Sequence, residues 1–259
     1  MNQELQESGA SPRPKPGMLL TRLIPNVLTL FSLCSGLSAM RFALMERWEA
    51  AVAFIVVAAI FDVLDGRVAR MLNITSKFGA ELDSLSDMIS FGVAPAMTLY
   101  LWALRGGDEV GWLAVLAYVI CAALRLARFN TMMEDKNLPA WRKGYFVGVA
   151  SPGAAGLALL PMFWSFTFDT EVLRIPAMIA IWLMITGALM VSRVPAFALK
   201  GHRVPRSWIV PILVTLTLMA AQMVTNPWRT LGTLALIYCL SLPISWYKFR
   251  QRSRLESRL

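Results

Sequence analysis

Apolar residues run through this chain in windows of membrane-spanning length, at about 20–44, 48–72, 80–103, 110–132, 146–168, 173–194, 207–226 and 229–247. A helix needs about 20 mostly apolar residues to cross the hydrocarbon core of a bilayer, so the pattern predicts eight helices. The fifth window, with Pro152, Gly153, Gly156 and Pro161, is the least regular, and the sixth is open to shortening at Arg193-Val194-Pro195. The predicted fold class is all-α: a polytopic integral membrane protein of about eight transmembrane helices. Residues 1–19 read as a disordered cytoplasmic tail, 20–247 as one transmembrane domain and 248–259 as a basic cytoplasmic tail. No internal repeat and no second soluble domain is visible.

Composition sharpens this. The 259 residues are 57% hydrophobic and only 16% charged, with mean hydropathy +0.56, a balance that belongs to membrane proteins. The net charge of +9 raises the question of nucleic acid. Its distribution answers otherwise. With an even number of spans, one side of the membrane holds only Arg41, Arg47, Arg105, Arg174 and Arg229, five of the 25 basic residues. The other twenty accompany both termini, which are therefore predicted to be cytoplasmic. The basic excess then serves topology and contact with anionic membrane lipids, with no nucleic-acid partner. Cys34, Cys121 and Cys239 are single and within apolar runs, so they read as small core residues.

Polar residues inside the apolar windows carry the chemistry. Asp62 and Asp65 are three residues apart, and Asp83 and Asp87 four apart, so each pair shares one face of its own helix. A turn near residues 73–78 brings Asp62 level with Asp87 and Asp65 level with Asp83. Ionised carboxylates facing lipid would cost roughly 2.5–3.5 kcal/mol each, so the four must face one another or a wet cavity. A charge of −4 at one point needs compensation, which two divalent cations supply; oxygen ligands without Cys or His favour Mg²⁺ or Mn²⁺. Gly66, Ala69 and Gly79 are small where the helices approach, leaving room for a ligand. The structural alternative is an ion-pair network with Arg67, Arg70 and Lys77.

Three further groups stand out. Pro25-Asn26 suits the first turn of a helix, with Asn26 and Thr29 on one face. Arg125 and Arg128, three apart at a predicted cytoplasmic helix end, suit either snorkelling to the interface or the grip of a diphosphate or carboxylate. The segment 151–156, Ser-Pro-Gly-Ala-Ala-Gly, reads as a bent packing helix or as the wall of a substrate route. His202 is the single histidine and lies in a basic loop, which removes a histidine base and leaves proton transfer to a carboxylate.

The run Asp62-x2-Asp65-Gly66-x2-Ala69-Arg70-x8-Gly79-x3-Asp83-x3-Asp87 resembles the signature of the CDP-alcohol phosphotransferases without a departure. The stretches 81–96, 125–130, 146–155 and 190–197 are similar to the serine-using branch of that family in bacterial inner membranes, with Val149-Ala150 a soft departure. The resemblance implies transfer of a phosphatidyl group from CDP-diacylglycerol to L-serine with release of CMP, at a site facing the cytoplasm. It implies two bound cations, Mg²⁺ or Mn²⁺, on Asp62, Asp65, Asp83 and Asp87, with Asp87 also the catalytic base. It implies CDP-diacylglycerol binding by Asn26, Gly66, Ala69, Arg70 and Gly79, and serine or diphosphate binding by Arg125 and Arg128. Homodimers are common among such proteins, so a homodimer is a further expectation. The same chemistry with glycerol 3-phosphate, inositol or choline, and a cation transporter built on the same carboxylates, are the alternatives.

Overall fold

The computed structural model describes residues 16–72, 76–106, 109–134, 145–192, 195–197 and 208–256. Most of the predicted N-terminal tail, the tip of the turn after Leu72, and Arg142, Arg193 and His202 lie outside the described residues.

Helices fall within all eight apolar windows. They are α1 (Pro16–Leu44), α2 (Trp48–Met71), a long helix spanning Lys77–Leu104, α5 (Glu109–Glu134), α6 (Ser151–Ala158) with α7 (Leu160–Phe168), α8 (Pro176–Val191), α9 (Ile209–Thr225) and α10 (Pro227–Glu256). The long helix comprises α3 (Lys77–Asp87), a π-helical segment Met88–Val93, α4 (Ala94–Leu99) and a second π-helical segment Tyr100–Leu104. The one departure from an all-helical chain among the described residues is a short antiparallel ladder, β1 (Tyr145–Val147) with β2 (Pro195–Phe197), in which Phe146 faces Ala196. Helix also enters both predicted tails: α1 begins at Pro16, and α10 continues to Glu256 because no Gly or Pro interrupts it after Pro243.

Among the described residues, three helices are long and apolar enough to cross a membrane: Leu23–Leu44, Lys77–Leu104 and Glu109–Met132. Two shorter apolar helices, Pro176–Val191 and Val210–Thr225, accompany them. Large apolar side chains such as Leu213, Leu216 and Leu218 of α9 are exposed, which suits a lipid solvent. This is an integral membrane protein.

The helix Lys77–Leu104 is the centre of the packing, with Phe91, Ala94, Ala96 and Leu99 inaccessible to solvent. It meets α1 where Gly36 faces Ser90; a Cβ on Gly36 would stand 2.8 Å from the Ser90 Cα, so only a glycine lets these backbones approach. Ser86 Oγ donates to Thr29 O at 3.1 Å and Ser90 Oγ to Ser32 O at 3.1 Å, which ties the two helices along their length.

Prolines set where the helices loosen, and neighbouring side chains repair the loss. Pro95 has no N–H for the Phe91 carbonyl, and the buried Tyr118 hydroxyl donates to that carbonyl instead, at 3.1 Å. Pro161 leaves the Leu157 carbonyl without its helical donor in the same way, and Trp182 Nε1 donates to it at 2.8 Å. The least regular window is thus divided into α6 and α7, and the junction is held by α8. The three cysteines are free, but Cys34 is exposed rather than in the core.

Candidate active site and metal centre

Facing stretches of α2 and α3 bring together the four aspartates. One carboxylate oxygen each from Asp62, Asp83 and Asp87 lies within 4.8 Å of the others. The Asp62 and Asp87 carboxyl groups are in hydrogen-bonding contact, and Asp65 is within electrostatic reach of both Asp62 and Asp83. Asp65 is buried at 5% exposure, and Thr29 Oγ1 of α1 donates to its Oδ2 at 2.6 Å. Local sequence explains the arrangement of α3: Ser76 caps its N-terminus by accepting the Gly79 N–H at 2.9 Å, so the helix starts at Lys77, nearly two turns before Asp83.

Among the described residues, none of the four carboxylates has a Lys or Arg in ion-pair contact; the one ion pair is Arg174 with Glu171, far along the chain. Arg67 and Arg70 are exposed, and Arg70 Nε instead donates to Gly66 O at 2.8 Å. The ion-pair network that sequence left open is thus absent. Closely spaced carboxylates without an ion-paired side chain form an all-oxygen donor set suited to a hard divalent ion.

Between α1, α2 and α3 lies a cleft of about 170 Å³, lined by Pro25, Asn26, Thr29, Asp65, Gly66, Ala69, Ser76, Gly79, Ala80 and Asp83. It contains four of the five residues expected to hold the nucleotide-linked substrate. The fifth, Arg70, stands outside the lining, its guanidinium bent back along α2. Gly79 keeps this wall open: a Cβ would stand 3.0 Å from both Asn26 Oδ1 and Ser76 Oγ. Gly66 has only Arg70 Nη2 within 4 Å of a built Cβ, so its hydrogen leaves the wall open.

The two arginines of α5 part company. Arg128 Nη1 donates to Val191 O at 2.8 Å, and its Nη2 lies 3.5 Å from Met190 O and 3.3 Å from Ser192 O, so this guanidinium caps the C-terminus of α8. Arg125 is buried, donates through Nη1 to Ser151 Oγ, and lies within electrostatic reach of Asp87 and Asp62. The cluster is therefore two-sided. Asp65 and Asp83 border the cleft, whereas Asp62 and Asp87 face Arg125.

Sequence reasoning did not find Ser76, Ser151 as a partner of Arg125, or Tyr238. Ser76 had a local signal, a serine three residues before Gly79 at a helix start. Tyr238 had none, since more than 100 residues separate it from Arg125. It borders a second, apolar cavity of about 250 Å³ between α2, α6, α7 and α10.

Comparison with known proteins accords with this geometry. The pattern of the family described as CDP-alcohol phosphatidyltransferase matches residues 22–183, and that of CDP-alcohol phosphatidyltransferase 2 matches residues 207–243. The chain belongs to the CDP-alcohol phosphatidyltransferase family. A CDP-diacylglycerol–serine O-phosphatidyltransferase of Mycobacterium leprae is 37% identical over 238 residues, covering 88% of this chain and 76% of that protein. The protein of the same name from Bacillus subtilis is 37% identical over 179 residues, covering 69% of this chain and 92% of its own. Among solved structures, a phosphatidylinositol phosphate synthase of Mycobacterium tuberculosis in complex with manganese and citrate aligns at TM-score 0.43 and 19% identity, covering 68% of this chain and 80% of that one. That likeness is too distant to place any residue.

Proposed function

We propose that this chain transfers a phosphatidyl group from CDP-diacylglycerol to the hydroxyl of L-serine, forming phosphatidylserine and releasing CMP. The observation that carries the reading is the cluster of Asp62, Asp65, Asp83 and Asp87 without an ion-pair partner, opening on a cleft walled by Asn26, Gly66, Ala69 and Gly79. Two relatives with 37% identity bear the name of this activity, which supports serine as the acceptor.

Asp62, Asp65, Asp83 and Asp87 would hold two divalent cations, Mg²⁺ or Mn²⁺, the number that offsets a charge of −4. Bound there, the cations supply charge stabilisation to the diphosphate as displacement at phosphorus proceeds. The remaining steps fall to the chain's own groups. Asn26 and Gly79 receive the cytidine end of the substrate, and Arg70 guards the rim. Asp87 accepts the serine hydroxyl proton as the oxygen bonds to phosphorus and the bond to CMP breaks. In-line displacement needs nucleophile and leaving group on opposite sides of phosphorus. The two-sided cluster suits this, with CMP in the cleft by Asp65 and Asp83, and serine between Asp87 and Arg125. Arg125 then binds the serine carboxylate.

The basic residues and the eight helical segments support eight spans with cytoplasmic termini and a site open to the cytoplasmic face of a bacterial inner membrane. A homodimer remains part of this proposal. The test is an acceptor panel in detergent with CDP-diacylglycerol and serine, glycerol 3-phosphate, inositol or choline. Phosphatidylserine and CMP should form with serine alone. Turnover of another alcohol in place of serine would reassign the acceptor, and absence of CMP release with every acceptor would favour ion transport.

A further inference from the structure

Among the described residues, Asp65 and Arg125 are the only buried charged side chains. Asp65 has Thr29, and what holds Arg125 decides the direction of its guanidinium. Two contacts do so. Nη1 donates to Ser151 Oγ and the guanidinium carbon lies 5.6 Å from the centre of the Phe129 ring, with Asp87 and Asp62 within electrostatic reach. Arginine has five donors in a rigid fork, so pinning one edge aims the other.

Ser151 is well placed to pin it. It is 1% exposed, it opens α6, and Pro152 follows it in the first turn of that helix, so its backbone is set by a proline as well as by burial. Behind it, Gly153 packs on Tyr238: a Cβ on Gly153 would stand 3.0 Å from Tyr238 Cε1 and 3.1 Å from its hydroxyl. The start of α6 therefore rests on Tyr238 of α10.

We infer that Ser151 is a positioning residue for acceptor binding: its hydroxyl holds one edge of Arg125 so that the other edge meets the acceptor's carboxylate beside Asp87. The inference rests on the reading of serine as acceptor. Ser151 touches no reacting atom. Its effect passes through Arg125, so it should act on the acceptor and leave the nucleotide-linked substrate alone.

Initial rates of the full-length enzyme in mixed micelles, with serine and CDP-diacylglycerol varied separately, test this. Ser151→Ala should raise the KM for serine roughly tenfold or more, the effect of losing a hydrogen bond to a charged group, while the KM for CDP-diacylglycerol stays unchanged. Ser151→Thr, which keeps the hydroxyl, should restore the serine KM. In an Arg125→Lys background, Ser151→Ala should add nothing further. A parallel loss of CDP-diacylglycerol affinity, or the same rise in serine KM in the Arg125→Lys background, would overturn the positioning role. The wild-type enzyme in the same assay separates the two failures: serine turnover with an indifferent Ser151→Ala sinks this inference alone, and no serine turnover sinks the acceptor reading with it.

Discussion

The Thr29 hydroxyl of α1 donates to Asp65 Oδ2 of α2 at 2.6 Å, which joins the helix carrying Asn26 to the first pair of acidic side chains. The Pro25 carbonyl, at 3.0 Å from the same hydroxyl, is the competing acceptor. The bond to the carboxylate is the shorter of the two, 2.6 Å against 3.0 Å. One Asp65 oxygen is thereby fixed against α1, while the residue also lines the cleft.

Divalent cations should be required for activity. Excess EDTA should abolish CMP release and added Mg²⁺ or Mn²⁺ should restore it, because no side chain among the described residues balances the four aspartates. Asn in place of Asp62, Asp65 or Asp83 should lose cation binding, measured by calorimetry, together with turnover. Full activity in EDTA would refute the metal centre.

Asp87 should separate from its neighbours. As base and ligand together, Asp87→Asn should depress kcat far more than it weakens CDP-diacylglycerol binding. Equal losses in the two measurements would leave Asp87 a ligand without a role in proton transfer.

Gly79→Ala should narrow the cleft without unfolding the protein. The new methyl meets only the ends of two polar side chains, Asn26 and Ser76, at 3.0 Å. The KM for CDP-diacylglycerol should rise several-fold while that for serine and the melting temperature in detergent barely move. An unchanged KM would place the cytidine elsewhere.

Arg128 should matter for stability rather than for serine. Its guanidinium serves the carbonyls at the end of α8, so Arg128→Lys should lower the melting temperature and leave the serine KM alone. Arg125→Lys should do the reverse. Identical kinetic effects of the two substitutions would contradict the division of roles.

Tyr118→Phe should cost about 1–3 kcal/mol of stability, the penalty of an unsatisfied buried carbonyl, because Phe91 O has no helical donor at Pro95. Combined with Pro95→Ala, which returns an N–H to that position, the cost should shrink. Thermal unfolding of the four variants measures the coupling, and strict additivity would disprove the repair.

Much of this was legible in the chain. Eight apolar windows locate the helices because burying backbone polar groups in hydrocarbon allows little else, and the spacing of Asp62, Asp65, Asp83 and Asp87 assigns each pair to a helix face. Family membership also follows from that one local pattern, since a signature within 26 residues needs no knowledge of distant contacts. The irregularity of the fifth window, with Pro152 and Pro161, is legible for the same local reason.

Tertiary structure decided what each polar side chain faces. Arg125 and Arg128 are alike in sequence, three residues apart on one helix, yet one turns to Ser151 and the aspartates and the other to the end of α8. Ser84, Ser86 and Ser90 look equally available on α3 and its extension; Ser86 and Ser90 are spent on carbonyls of α1, while Ser84 pairs with Asn130 of α5. A helix face is set by a local period, but its partner is set by which helix packs against it, and that depends on residues as distant as Tyr238. Spacing could therefore announce four aspartates and two arginines, and only the packing of α1, α5, α6 and α8 around Lys77–Leu104 could say which arginine the aspartates would meet.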